Sequence, residues 1–351
     1  MEKKRELRIV RKTWETADTA TFALEPTDGH PLRYLPGQYV SLVFSTQTGE
    51  KRRAYSFSTC PGVDALPAIT VKRVVNGEFS NWLLRYAEPG NVLTATEPHG
   101  RFLLPPKQPD TIFYIAAGSG ITPVMSHLKA ILAKPHGAKI ILYYANRDSQ
   151  STIFKPQIDQ WIKDFPARFR CLYFFSKEKK AENALHRHLN NQLLEELLSR
   201  HFADGIAAKQ LRGTLFYLCA PKAMMRMAEM TLRAMSFPEK NIVKENFVAE
   251  TRLPTQELDT TRTHLIVASN ARERIEFKAF AGETILNAAL RQGIPLPYTC
   301  KSGVCFTCLA KCTKGEVDVA FVDSVRREGP GDMVNTCIGY AATERVELWY
   351  E

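Results

Sequence analysis

The pattern of apolar and polar positions changes along the chain and divides it into three segments. Residues 1–107 alternate apolar and polar positions in short runs: Leu7–Val10, Thr21–Leu24, Tyr39–Phe44 and Ala68–Lys72, separated by Pro and Gly. Short alternating runs broken by turn residues predict an antiparallel all-β unit, a small barrel. From residue 108 to 248 continuously apolar runs alternate with helical periodicity. Strands are predicted at Thr111–Ala116, Lys139–Tyr144, Arg170–Phe175 and Thr214–Cys219, with helices over Pro123–Lys134 and Ala223–Met235. Strand–helix alternation of this kind predicts a doubly wound parallel sheet. Residues 249–261 are polar, contain Pro254 and lack an apolar face, so they read as a linker. The segment 262–351 opens with a strand pair, Thr263–Ser269 and Arg274–Phe280, followed by a helix over Thr284–Gln292. That order predicts a small α+β module.

The last segment carries the most specific chemistry. Cys300, Cys305 and Cys308 read C-x4-C-x2-C, and Cys337 follows after 28 intervening residues. This is the ligand spacing of a plant-type [2Fe–2S] ferredoxin. Zinc is disfavoured because only one short Cys pair is present. A chain of 351 residues also buries enough core to need no disulfide framework. Cys312 lies in an alternating run and reads as a buried strand residue. His186 and His188 have no carboxylate at a matching spacing and read as surface, so no oxygen-activating site is expected within the chain.

Charge narrows the remaining classes. The formal net charge is +10, and residues 262–351 balance eleven basic against eleven acidic residues, so the excess lies in residues 1–261. The basic residues are scattered and no nucleic-acid motif accompanies them, which favours phosphorylated cofactors over nucleic acid. No run of apolar residues approaches membrane-spanning length. The N-terminus has no signal-peptide core, and eight cysteines imply a reducing compartment, so the expected location is cytoplasmic.

Two further sets of residues point to cofactors. Arg53 could neutralise a pyrophosphate, and Tyr55, two residues on along the same strand, could cover a flavin. Beyond Lys72, Gly77 turns into a helix bearing Phe79 and Ser80, whose N-terminus offers N–H groups to phosphate. In the α/β segment the first strand runs into Gly118-Ser119-Gly120-Ile121-Thr122-Pro123, suited to close nucleotide approach. The second strand ends at Asn146-Arg147 and the third at Ser176-Lys177, with no acidic residue ending the second strand. Cations at these ends favour NADPH over NADH.

The motifs R-x-Y-S at Arg53–Ser56, G-x-x-S at Gly77–Ser80 and G-S-G-I-T-P at Gly118–Pro123 occur in a fixed order. With Asn146-Arg147, Ser176-Lys177, the C-x-P at Cys219 and the cysteine motif, they resemble the ferredoxin–NADP⁺ reductase superfamily followed by a plant-type ferredoxin. Within it the chain resembles the reductase subunits of phenylacetyl-CoA epoxidases. The resemblance implies that Arg53, Tyr55 and Ser56 bind FAD, with Lys72, Phe79 and Ser80 near its pyrophosphate. It places Gly118, Gly120, Thr122 and Cys219 along the nicotinamide path and closes the reductase portion with Glu245 and Phe247. Tyr55, Ser56 and Cys219 are then the candidate catalytic residues. Two departures stand out: Ala220 where the family usually has Gly, and Lys177 where Arg is commoner. The implied path is NADPH to FAD to [2Fe–2S] to an oxygenase partner of the di-iron type. The alternatives are another oxygenase's reductase, a stand-alone ferredoxin reductase, and an iron–sulfur redox sensor.

Overall fold

The computed structural model describes residues 4–46, 49–107, 109–178, 184–202, 213–247, 258–299, 301, 303, 306–320 and 325–350. Two compact units separate within it. One comprises Met1–Lys4, Phe44–Ala54 and Phe247–Glu351, the other Arg5–Val43 and Tyr55–Asn246.

The N-terminal sheet has six strands: β1 (Lys4–Thr16), β2 (Thr19–Pro26), β3 (Tyr39–Thr46), β4 (Gly49–Ser56), β5 (Ala68–Lys72) and β6 (Val92–Thr96). Their order is β4-β3-β6-β1-β2-β5, and the β1/β2, β2/β5 and β3/β6 pairs are antiparallel. Leu7 and Ile9 of β1 and Phe22 and Leu24 of β2 are fully buried, as the alternation requires. Arg5 is buried in the same row because Asp28 and Glu97 pair with it. Helix α1 (Glu78–Tyr86) follows the β5 turn and buries Phe79, Leu83 and Leu84.

The second sheet is parallel: β7 (Thr111–Ala117), β8 (Lys139–Asn146), β9 (Phe169–Phe175), β10 (Ala184–Leu185), β11 (Thr214–Cys219) and β12 (Ile242–Lys244), in the order β10-β9-β8-β7-β11-β12. Its strands are apolar on both faces because both faces are covered. On β7, Ile112, Tyr114 and Ala116 enter a core that includes Val124, Met125 and Leu128 of α2 (Ile121–Leu132) and Ile158 of α3 (Lys155–Asp164). Phe113 and Ile115 enter the opposite core, with Leu194 and Leu198 of α4 (Asn191–His201) and Ala228 and Leu232 of α5 (Lys222–Ala234). This is the doubly wound arrangement.

The C-terminal module contains β13 (Asp259–Ser269), β14 (Arg274–Ala281), α6 (Ile285–Arg291), β15 (Leu309–Lys314), β16 (Val317–Ala320), β17 (Val325–Glu328), β18 (Met333–Asn335), β19 (Gly339–Ala341) and β20 (Arg345–Trp349). Its main sheet runs β14-β13-β20-β15-β18, with β13 and β20 parallel. Helix α6 buries Ile285, Leu286, Ala288 and Ala289 in the core beside Ile266, Val346 and Leu348. The result is the α+β, β-grasp arrangement.

One boundary differs from the sequence reading. Residues 259–261, read as linker, begin β13, where a bulge separates the Asp259–Ala281 and Thr263–Phe280 pairs. These strand residues are polar because most face solvent, and exposure removed the alternation that would have marked a strand. The rest of the linker up to residue 257 lies outside the described residues.

Candidate functional site

The candidate nucleotide loop is built where β7 ends. Gly118 adopts φ +52°, the left-handed region that favours glycine, and opens a 3₁₀ turn to Gly120 before α2 starts. Gly120 has a different reason to be glycine: a Cβ there would lie 1.8 Å from the Cys219 carbonyl oxygen. Cys219 pairs with Ala116 at the end of the neighbouring strand β11. The loop is braced by the Tyr144 hydroxyl, which donates to the Gly118 carbonyl at 3.1 Å. Thr122, itself buried, donates to the Ser119 carbonyl at 2.9 Å. Gly118, Gly120, Thr122 and Cys219 are thus gathered at the C-terminal edge of the parallel sheet, where such folds bind ligands.

Glu245 joins this edge through its backbone N–H, which donates to the Leu218 carbonyl at 3.0 Å. Desolvation pushes its carboxyl up to about 8, so the group is mostly protonated at neutral pH. Burial raises the Cys219 thiol well above its ordinary value, and charge on Glu245 raises it further. Cys219 is therefore a neutral thiol and no nucleophile at neutral pH. Phe247 is exposed.

The two strand-end cations are neighbours along the sheet edge: the Lys177 N–H donates to the Arg147 carbonyl at 2.8 Å, and the Ser176 N–H to the Asn146 carbonyl at 3.2 Å. Arg147, Ser176 and Lys177 are all exposed. Asp148 follows directly, but its carboxylate accepts the Ser151 N–H at 2.8 Å and so serves its own turn. An acid does reach Arg147 from elsewhere. Asp18, in the β1–β2 turn, lies 3.7 Å from Arg147 and 3.9 Å from Lys72. Lys72 in turn reaches the nucleotide loop, its Nζ 4.0 Å from where a Gly118 Cβ would stand.

In the N-terminal sheet, Arg53 and Tyr55 stand two residues apart on β4; Arg53 is exposed, Tyr55 half-buried and Ser56 buried. Gly77 caps α1, and a Cβ there would meet Ser80 Oγ and Val74 at 2.8 Å. Ser80 accepts the Val74 N–H at 3.1 Å and donates to the Gly77 carbonyl at 3.3 Å. Its hydroxyl thus braces the turn that aims the N-terminus of α1, and Phe79 is anchored in the core. Tight turns, a helix N-terminus and a nearby lysine suit a dinucleotide pyrophosphate.

Sequence reasoning missed the residues that tie this barrel to α2, the helix rooted in the nucleotide loop. Ser126 donates to the Thr59 carbonyl at 2.5 Å, and Lys129 pairs with Asp64 at 2.8 Å. His127 is fully buried, with Nε2 at 2.9 Å from the Phe102 carbonyl and 3.2 Å from that of Pro36. Desolvation lowers its imidazole to about 4, so it is neutral. Two carbonyls at Nε2 fix the proton there, leaving Nδ1 to accept from the Tyr114 hydroxyl at 3.2 Å. No motif marks these residues; only the contacts made by α2, most of whose residues are buried, reveal them.

At the cysteine loop, Cys308 and Cys337 are buried in one core, and Cys300 and Cys305 lie outside the described residues. The Gly303 N–H donates to Cys337 Sγ at 3.2 Å. Gly303 has φ +74°, and a Cβ there would lie 2.4 Å from Ile338 Cδ1, so the loop backbone is pressed against the wall beside that sulfur. The Thr336 N–H and hydroxyl both donate to the Cys308 carbonyl, at 3.2 and 3.0 Å, holding the two cysteines in register. A backbone N–H aimed at a thiolate sulfur is what an iron–sulfur cluster requires of its surroundings. Cys312 is fully buried in β15 and its thiol contacts the carbonyls of Gly315 at 3.5 Å and Lys314 at 3.6 Å, as a strand residue would. Arg52, also missed, donates to the Tyr298 carbonyl at 2.8 Å and stacks over its ring, two residues before Cys300.

A FAD- and pyridine-nucleotide-binding reductase with an iron–sulfur module is the class these features define. The oxidoreductase FAD-binding domain family matches residues 6–103, the oxidoreductase NAD-binding domain family 114–230, and the 2Fe-2S iron-sulfur cluster binding domain family 269–342. The chain belongs to the ferredoxin–NADP⁺ reductase superfamily, in the group with a C-terminal plant-type [2Fe–2S] domain. It is 33% identical to a component polypeptide of the 1,2-phenylacetyl-CoA epoxidase of Escherichia coli (strain K12), over 89% of this chain and 87% of that one. It is 29% identical to the ferredoxin reductase component of 3-ketosteroid-9-alpha-monooxygenase from Mycolicibacterium smegmatis, over 99% and 97%. Among solved structures, phthalate dioxygenase reductase has the same fold, with a TM-score of 0.59 and 22% identity over 98% of this chain and 97% of that one. The chain is an oxidoreductase. Among the described residues no helix is long and apolar enough to cross a membrane.

Proposed function

We propose that this chain is an NADPH-oxidising reductase that delivers single electrons to an oxygenase component, of the phenylacetyl-CoA epoxidase type. When bound, the nicotinamide supplies a hydride, the flavin divides the electron pair, and the cluster carries electrons out one at a time. The protein's part is to bind and orient. Residues 1–107 hold FAD through Arg53, Tyr55, Ser56, Lys72 and the Gly77–Ser80 turn. Residues 108–248 hold NADPH through Gly118, Gly120, Thr122, Arg147, Ser176 and Lys177. Cys219 and Glu245 present two uncharged groups at neutral pH and so keep the nicotinamide path free of fixed negative charge. After the linker at 249–261, residues 262–351 hold the cluster through Cys300, Cys305, Cys308 and Cys337. The partner is a separate di-iron oxygenase chain, and the location is the cytoplasm.

The observation that carries the nucleotide preference is the adjacency of Arg147 and Lys177 across the β8–β9 edge. A 2′-phosphate is accommodated by a nearby cation; a ribose 2′-hydroxyl does not call for one. Arg147→Ala combined with Lys177→Ala should raise KM for NADPH far more than for NADH, with kcat little changed. An equal rise for both nucleotides would refute the preference. Similarity over almost the full length to a steroid monooxygenase reductase favours a second reading, in which the acceptor is a different oxygenase.

A further inference from the structure

The phosphate-binding cations have a dedicated acid that no motif announces. Asp18 comes from the β1–β2 turn, yet its Oδ2 lies 3.7 Å from Arg147 Nη2 and 3.9 Å from Lys72 Nζ. Its neighbours hold it there: the hydroxyls of Thr16 and Thr19 donate to Oδ1 at 2.9 and 3.0 Å. Its backbone carbonyl also accepts the Arg73 N–H at 2.8 Å, which pins the turn to the strand bearing Lys72. The carboxylate is therefore a fixed charge with one oxygen engaged in local hydrogen bonds and the other turned to the cations. Burial works against its ionisation, but the hydroxyls and the two cations outweigh burial and hold the group below its ordinary value. It is charged at neutral pH.

We propose that Asp18 is a specificity-determining residue: a counter-ion that competes with the 2′-phosphate for Arg147 and so moderates the preference for NADPH over NADH. The inference rests on the assignment of Arg147 to the 2′-phosphate. At 3.7 Å the ion pair is loose, and the Arg147 side chain is 57% exposed, so a phosphate can displace the carboxylate. A nucleotide without the 2′-phosphate leaves the Asp18–Arg147 pair intact and bears only the weaker effect transmitted through Lys72. The carboxylate thus weakens binding of one nucleotide more than the other.

The test is calorimetric binding of 2′,5′-ADP and 5′-AMP to the FAD-loaded full chain. Asp18→Asn keeps an oxygen for Thr16 and Thr19 while removing the charge, and Asp18→Ser is a second variant should the first fold poorly. The ratio of the two dissociation constants should move in favour of 2′,5′-ADP by about three- to fivefold, the scale of one exposed ion pair. In an Arg147→Ala background the same change should leave the ratio unmoved. An unaltered ratio in the single variants, or an equal shift in the Arg147→Ala background, overturns the proposal. Failure of the underlying assignment looks different: Arg147→Ala alone would then leave 2′,5′-ADP binding intact.

Discussion

Gly120 faces the carbonyl oxygen of Cys219 so closely that a methyl group would occupy a point 1.8 Å from it. Gly120 follows β7 and Cys219 ends the adjacent parallel strand β11, and their contact fixes the spacing of the edge on which the nucleotide loop stands. Gly120→Ala should force the strand ends apart, at a cost of about 1–3 kcal/mol. The expected outcome is a lowered Tm and a steep loss of NADPH-dependent ferricyanide reduction, while flavin absorbance shows FAD retained. Wild-type turnover in the variant would mean that the loop does not need this spacing.

Arg52 grips the start of the cysteine loop. Its guanidinium lies 4.4 Å from the Tyr298 ring centroid and donates to the Tyr298 carbonyl at 2.8 Å. A cation over an aromatic ring contributes about 0.5–2 kcal/mol. Arg52→Ala should therefore loosen the approach to Cys300 and speed loss of the cluster absorbance under an iron chelator. Arg52→Lys should fall between, since an ammonium restores charge without the planar stack. Chelation rates equal to wild type would remove Arg52 from any role at the loop.

Glu245 predicts a pH dependence of definite sign. Its carboxyl titrates near its ordinary range of about 4.3 when unfolded and at about 8 when folded. The folded state thus binds the proton more tightly. Its contribution to stability is complete below the unfolded pKa and is lost as pH rises through the folded one. Thermal unfolding should show Tm falling between about pH 5 and 8 by an amount that Glu245→Gln abolishes. His127 acts oppositely: titrating at about 4 when folded and about 6.5 when unfolded, it favours the native state as pH rises across that interval. If wild type and Glu245→Gln show parallel curves, the carboxyl is ionised at neutral pH.

Much of this was legible in the sequence, for reasons of pattern length. The main strand runs of the α/β segment and the strand pair of the ferredoxin segment are long and rich in apolar residues, so their assignment needs no tertiary information. The Cys and Gly motifs are local, and their spacing alone carries the chemistry. What stayed hidden is non-local or solvated. Asp18 meets Arg147 only because the fold brings the β1–β2 turn to the end of β8. His127 is one polar residue among apolar ones in α2, and nothing in its neighbours shows that two carbonyls await it. Residues 259–261 form a strand whose side chains mostly face solvent, so the alternation that marks strands is absent there.

Electrons are proposed to pass from pyridine nucleotide through the flavin to the cysteine loop, and anaerobic stopped-flow mixing with NADPH follows that path directly. Two phases are expected, bleaching of the flavin band and then of the cluster band. Cys308→Ala should abolish the second phase and leave the first at its wild-type rate, and Cys312→Ala should leave both. Bleaching of the cluster band in protein stripped of FAD would contradict this path, as would loss of the second phase in Cys312→Ala with its retention in Cys308→Ala.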